Sequence, residues 1–147
     1  MRLARLAMEF KVNQRELNRV LKNIDRKSKE VQTNVIFELE KSAQTIRNES
    51  MKKAPTDMAE LKSSISVIRP SKFSRQVVVR AEHAPYVEFG TGAHAAAFLS
   101  NESEEMRNYA MKFYKNGLGT LPSNPYLFPS VNEELPKLET RIKRVVR

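Results

Sequence analysis

Apolar positions along the chain change period several times, and those changes divide it into elements. Met8 to Val12 alternates weakly, which suits a short strand or an extended arm. Asn13 with Glu16 reads as a capping box, and Leu17, Val20, Leu21 and Ile24 then fall on one helical stripe. Asp25 to Lys29 interrupts the pattern with charge. From about Ser28 to Lys53 a second helix is expected, with Val31, Val35, Leu39, Ala43 and Ile46 on one face. Phe37 and Met51 point to roughly the opposite side, as a wrapped core or as a surface for a neighbouring subunit. Pro55 ends that helix, because it disfavours helical geometry in the residue before it.

The next region reads as sheet. Thr56 and Asp57 suit a turn or a helical cap, since both can bond nearby backbone N–H groups. Ile65–Arg69 and Val77–Ala81 are β-branched and alternate, with a polar loop over Pro70–Arg75. They form a hairpin, and Tyr86–Phe89 extends it to three strands. Short connections require antiparallel pairing. Ala93 to Leu99 is small and apolar with no strand pattern. Ser100 or Asn101 then caps a helix bearing Met106, Tyr109, Ala110 and Phe113, with Gly117 at its exit. Pro125–Pro129 reads as a short extended edge segment. Ser130 with Glu133 forms another capping box, and Val131, Leu135, Leu138, Ile142 and Val145 make a helical stripe. Pro136 either kinks this helix or begins it.

Composition narrows the chemistry more than it names it. At 147 residues the chain is of single-domain length, and 40% apolar content permits a modest core. Lys and Arg number 26 against 17 Asp and Glu, a net +9. That balance permits nucleic-acid contact without establishing it. The basic residues gather at the ends: Arg2, Arg5, Lys11, Arg15, Arg19, Lys22, Arg26, Lys27 and Lys29 in front, Arg141, Lys143, Arg144 and Arg147 behind. No zinc-finger, RRM or recognition-helix pattern accompanies them.

The absence of cysteine excludes disulfides, thiolate metal sites and cysteine nucleophiles. No window is long and apolar enough for a signal peptide or a membrane span, so a soluble, cytoplasmic origin is expected. Gly90-Thr91-Gly92 lacks the Lys and Ser or Thr of a phosphate loop, and it lacks the third glycine of a dinucleotide fingerprint. His83 and His94 stand without metal-ligand spacing. Glu88, a carboxylate between Val87 and Phe89, has no catalytic partner in the sequence. No enzymatic activity, cofactor or metal is expected.

Three separated strings carry a resemblance. They are Ala54-Pro55 with Asp57, Leu61, Ser64 and Ile65; Tyr86-Val87-Glu88-Phe89-Gly90-Thr91-Gly92; and Pro125-Tyr126-Leu127-Phe128-Pro129-Ser130 before a terminal helix. In this order they resemble the tail-completion, or neck, proteins of long-tailed bacteriophages and prophages, whose pattern is A-P-x-D-T-G-x-L-x-x-S-I, then Y-V-E-F-G-T-G, then P-F-L-x-P-A. Met58 and Ala59 replace Thr and Gly of the first string, which makes that turn more helical. Tyr126 and Ser130 are mild changes in the third.

The resemblance implies an α+β fold, with a small, mainly antiparallel sheet packed against a long N-terminal helix, an inserted helix and a C-terminal amphipathic helix. On that basis the single domain divides into an arm or short strand over 1–12, helix over 13–53, sheet over 61–92, an insertion over 93–121, and a final strand and helix over 124–147. It further implies a structural virion protein at the head–tail junction, present in the host cytoplasm during assembly. Such a protein assembles as a ring, expected to be a hexamer, between the head connector and the tail tube or tail-terminator, near the genomic DNA and away from membranes. Tyr86, Glu88, Phe89, Gly90, Thr91, Gly92, Pro125, Tyr126 and Phe128 form the motif, and with Phe37 and Met51 they are the expected inter-subunit contacts. Alternatives are another connector ring, such as a head-closure or tail-terminator protein, or a basic nucleic-acid-binding accessory protein.

Overall fold

The computed structural model describes residues 6–11, 13, 15, 25–111 and 119–147. Among these residues the order is β1 (Leu6–Lys11), α1 (Asp25–Lys53), α2 (Ala59–Ser63), β2 (Ile65–Ser71), β3 (Ser74–Val79), α3 (Ala84–Phe89), α4 (Gly92–Leu99), α5 (Glu104–Met111) and α6 (Leu127–Val145). The fold is α+β: a three-stranded antiparallel sheet packs on a long helix near the N-terminus, with a C-terminal helix beside it. The expected helix starting at Asn13, with Leu17, Val20, Leu21 and Ile24, lies outside the described residues, as do Phe113 and Gly117.

The sheet order is β1-β3-β2, with β3 central and antiparallel to both neighbours. The Val77-Val78-Val79 run belongs there, because all three residues are buried. The loop expected over Pro70–Arg75 contracts to a tight turn at Lys72-Phe73, so β2 and β3 extend further into it. The third strand is β1, at the position of the alternating Met8–Val12 region; Tyr86–Phe89 is helical. An edge strand needs its outward backbone groups answered. At Ala7 the Tyr109 hydroxyl does this twice, accepting from the N–H at 2.9 Å and donating to the carbonyl at 3.2 Å.

α1 buries the stripe its periodicity predicts, with Val35, Leu39, Ala43 and Ile46 inside and Val31 half-buried. Of the three apolar residues that remain, Ile36 is half-buried beside the stripe, and the other two part company. Met51 is half-buried against the main core, whereas Phe37 is 63% exposed, so they do not form one outer stripe. α6 lies along α1 with Leu138 buried and Leu135 and Ile142 half-buried. Between the two helices Arg141 bonds Glu38 and Glu134, each at 2.6 Å, and the buried Ser42 hydroxyl donates to Glu134 at 2.8 Å. Pro136 sits inside α6 on its exposed face; it has no N–H to donate to the carbonyl of Asn132, itself an exposed residue.

A second ionic tie joins α1 to the hairpin. Glu40 accepts from Arg69 and, at 2.7 Å, from the buried Arg75, which also donates to the Ser74 carbonyl at 2.7 Å. The Arg69 hydrogen bond, aided by Gln44 and Arg75, holds the Glu40 carboxyl at about 2, down from 4.5. A carboxyl more acidic when folded contributes stability above its unfolded value and loses it as pH falls toward the folded one. Stability is therefore expected to fall between pH 4.5 and about 2. Glu40→Gln should flatten that part of the pH profile, measured by urea unfolding monitored by circular dichroism.

Candidate functional site

The two strings richest in aromatic residues and glycine meet at one carboxylate. Ala84–Phe89 forms a helix because Pro85, near its start, lacks the N–H that a first turn leaves unbonded and has its φ already set. The Pro125–Pro129 segment is helical too from Leu127 onward, with Tyr126 as N-cap residue. Tyr126 has no short polar side chain to cap the helix. Ser130 does not cap it either: it lies within the helix and donates to the Tyr126 carbonyl at 2.7 Å. Glu133, the other half of the expected capping box, instead pairs with Lys53 at 2.8 Å.

The cap comes from 38 residues upstream. Glu88 is fully buried, and its Oε2 accepts from the Tyr126 N–H at 2.8 Å and the Leu127 N–H at 3.0 Å. Its Oε1 accepts from the Phe128 N–H at 2.9 Å. An α-helix leaves its first four N–H groups without partners. Here three go to Glu88, and the fourth position is Pro129, which has no N–H to satisfy. The carboxylate also sits at the positive end of the helix dipole. Burial pushes the Glu88 carboxyl above its ordinary value, and the three N–H bonds oppose that shift without cancelling it. A carboxyl with a raised folded pKa contributes most at low pH and loses that contribution as pH rises through the folded value.

Around this cap the chain is clamped by backbone. Thr91 N–H donates to the Leu121 carbonyl at 2.9 Å, and Leu121 N–H donates to Thr91 Oγ1 at 2.8 Å. Asn124 N–H donates to the Val87 carbonyl at 2.8 Å. Gly90 has φ 77° and ψ −172°, a region essentially reserved for glycine. A Cβ there would lie 2.7 Å from the Ser123 nitrogen and 3.0 Å from the Leu121 carbonyl oxygen. Gly92 opens α4. Phe89 stacks at 5.5 Å from Phe128 and 6.3 Å from Phe98, while Tyr109 meets Phe128 edge-on at 6.0 Å. The Tyr126 hydroxyl donates to the Ala84 carbonyl at 3.3 Å, and burial drives its pKa upward.

These placements correct the expected contact list. Glu88, Phe89, Tyr126 and Phe128 are buried inside one chain and offer no side-chain surface to a neighbour. Gly90 is buried, Thr91 and Pro125 are half-buried, and Met51 packs inward. Phe37 and Tyr86 are the exposed members of the list. The basic end is also partly engaged: Arg141 serves Glu38 and Glu134, and Lys143 pairs with Glu139, while Arg144 and Arg147 remain exposed. Sequence reasoning placed Tyr109 on an apolar helix stripe without its bonds to Ala7, and it missed the roles of Ser42 and the 119–124 run. The usable signal was a charged residue, Glu88, amid apolar neighbours; the Ser130 and Glu133 pattern concealed the need for a remote cap. Among the described residues no group of three or more His, Cys, Asp or Glu is arranged to hold a metal, and no helix is long and apolar enough to cross a membrane.

No known protein family matches the chain, and no curated protein or solved structure is significantly similar to it.

Glu88→Gln keeps two acceptor bonds but turns an NH2 toward the Phe128 N–H. It should cost about 1–3 kcal/mol in urea unfolding, the usual penalty for a buried polar group left unsatisfied. Gly90→Ala should cost at least about 1–3 kcal/mol from backbone strain, before its clash with the 121–123 backbone is added. An alanine variant as stable as wild type by thermal melting would overturn the close approach of Gly90 to the 121–123 backbone.

Proposed function

We propose that this chain is a structural protein of the phage neck, a tail-completion protein that joins a finished tail to a DNA-filled head. The observation that carries the proposal is the meeting of the strings on which the resemblance rests. Glu88 of the second bonds the Tyr126, Leu127 and Phe128 backbone of the third. One apolar cavity is lined by Pro55 of the first and the adjoining Met58, by Val87 of the second, and by Leu121 to Asn124 leading into the third. A motif set with one physical purpose in the fold is a stronger basis for the resemblance than three unrelated strings.

In this role the protein works by shape and has no turnover. It assembles as a ring, with its clamp holding α6 at a fixed angle, and each subunit meets the head connector on one side and the tail on the other. Exposed Lys29, Arg144 and Arg147 are available to acidic partner surfaces or to the DNA path. A ring multiplies weak individual contacts through effective concentration. Deleting the gene from the phage or prophage that carries it should leave full heads and finished tails side by side in electron micrographs, unjoined. Normally joined virions from the deletion would overturn the neck role.

A further inference from the structure

An exposed aromatic near the middle of α1 and an apolar cavity beyond that helix's C-terminal end lie well apart. Phe37 is 63% exposed and projects from an otherwise polar face, with Thr33, Asn34 and Lys41 within one turn. The cavity lies just past the helix's other end, walled by Pro55, Met58, Val87, Leu121 and Pro122, with a volume of about 250 Å³. An apolar cavity of about 150 Å³ is enough to hold benzene, so a phenylalanine ring fits. From Phe37 to Lys53 the helix advances about 24 Å at 1.5 Å per residue, so a molecule's own Phe37 cannot reach its own cavity.

Among the described residues, unpaired charges of opposite sign stand close to the two places. Beside Phe37, Glu40 is taken by Arg69 and Arg75, and Glu38 by Arg141. Lys41 there is exposed and has no ion pair among the described residues. At the cavity, Lys52 is paired with Glu49 and Lys53 with Glu133. Asp57, between Pro55 and Met58, and Glu60 are exposed and have no ion pair among the described residues.

We propose that Phe37 of one copy inserts into the Pro55–Met58–Leu121 cavity of a second copy, with Lys41 set against Asp57. The occupant is this chain itself, and the contact rests on the ring reading above by naming where its subunits touch. Each copy that offers its Phe37 keeps its own cavity open, so the contact can propagate around a ring. A buried aromatic anchor beside a charge pair is also the usual centre of a protein interface.

The test uses the full chain in solution, with mass measured by light scattering or native mass spectrometry. Wild type should self-associate, while Phe37→Ala and Leu121→Arg should each weaken association about tenfold or more with unchanged circular dichroism. The two variants mixed should recover a single contact, because one retains the cavity and the other the aromatic. Lys41→Glu should weaken association, and adding Asp57→Lys should restore it. Wild type that stays monomeric at the highest reachable concentration would overturn the contact, as would oligomers indifferent to both Phe37→Ala and Leu121→Arg. A wild type that self-associates through this contact while its gene deletion still yields joined virions would sustain the contact and sink only the neck role.

Discussion

A carboxylate in a protein interior must be answered by hydrogen bonds, and a helix beginning in a protein interior must have its first N–H groups answered too. In this chain each need meets the other. Glu88 has no basic partner among the described residues; its bonds come from three consecutive backbone N–H groups at the head of α6. The arrangement is directional, because the two carboxylate oxygens divide the three donors between them. It therefore sets where α6 begins and the angle at which it leaves. The rest of that helix inherits the setting, including the packing of Leu138 on α1 and the reach of Arg141 to Glu38.

The surrounding backbone reinforces one geometry. A loop held by side chains alone could shift its register, but Thr91 and Leu121 exchange two hydrogen bonds, and Asn124 adds a third to Val87. Gly90 lets this ladder approach within a distance that any side chain would block. The aromatic rings of Phe89, Phe98 and Phe128 then pack against one another beside the cap, where the Glu88 carboxylate is fully buried. Cap, crossing and aromatic cluster depend on one another, so a change in any of them is felt at the head of α6.

The long elements were legible in the chain because their information is local. Val35, Leu39, Ala43 and Ile46 repeat at helical spacing over several turns, and the stripe is buried as its spacing requires. The β2–β3 hairpin follows from β-branched alternation in the same way. Short segments fared worse for a physical reason. Tyr86 to Phe89 covers little more than one helical turn, too short for alternation to separate strand from helix. Pro85 suits either an extended entry or a helical start. At Pro125–Pro129 the prolines suggested an edge strand, but Pro129 occupies a helical position where a missing N–H costs nothing. The cap could not be found by local rules, since its donor groups and its acceptor are 38 residues apart.

That separation changes what the motif means for assembly. A glutamate held inside the chain cannot also serve a neighbouring subunit, and the same holds for Phe89, Tyr126 and Phe128. On the proposed neck reading, the string that carries the resemblance acts one step before assembly, by fixing the head of α6 within the subunit. Surfaces that meet other proteins must lie where side chains remain exposed, and Phe37 and Leu121 meet that requirement. Leu121 is joined to the clamp through its backbone and to the cavity through its side chain. Rigidity at Glu88 is thereby passed to an exposed wall, which keeps its shape before any partner arrives. A preformed wall lowers the ordering cost of binding. On the proposed reading, the buried carboxylate would therefore serve assembly by holding that wall in place, without touching a partner.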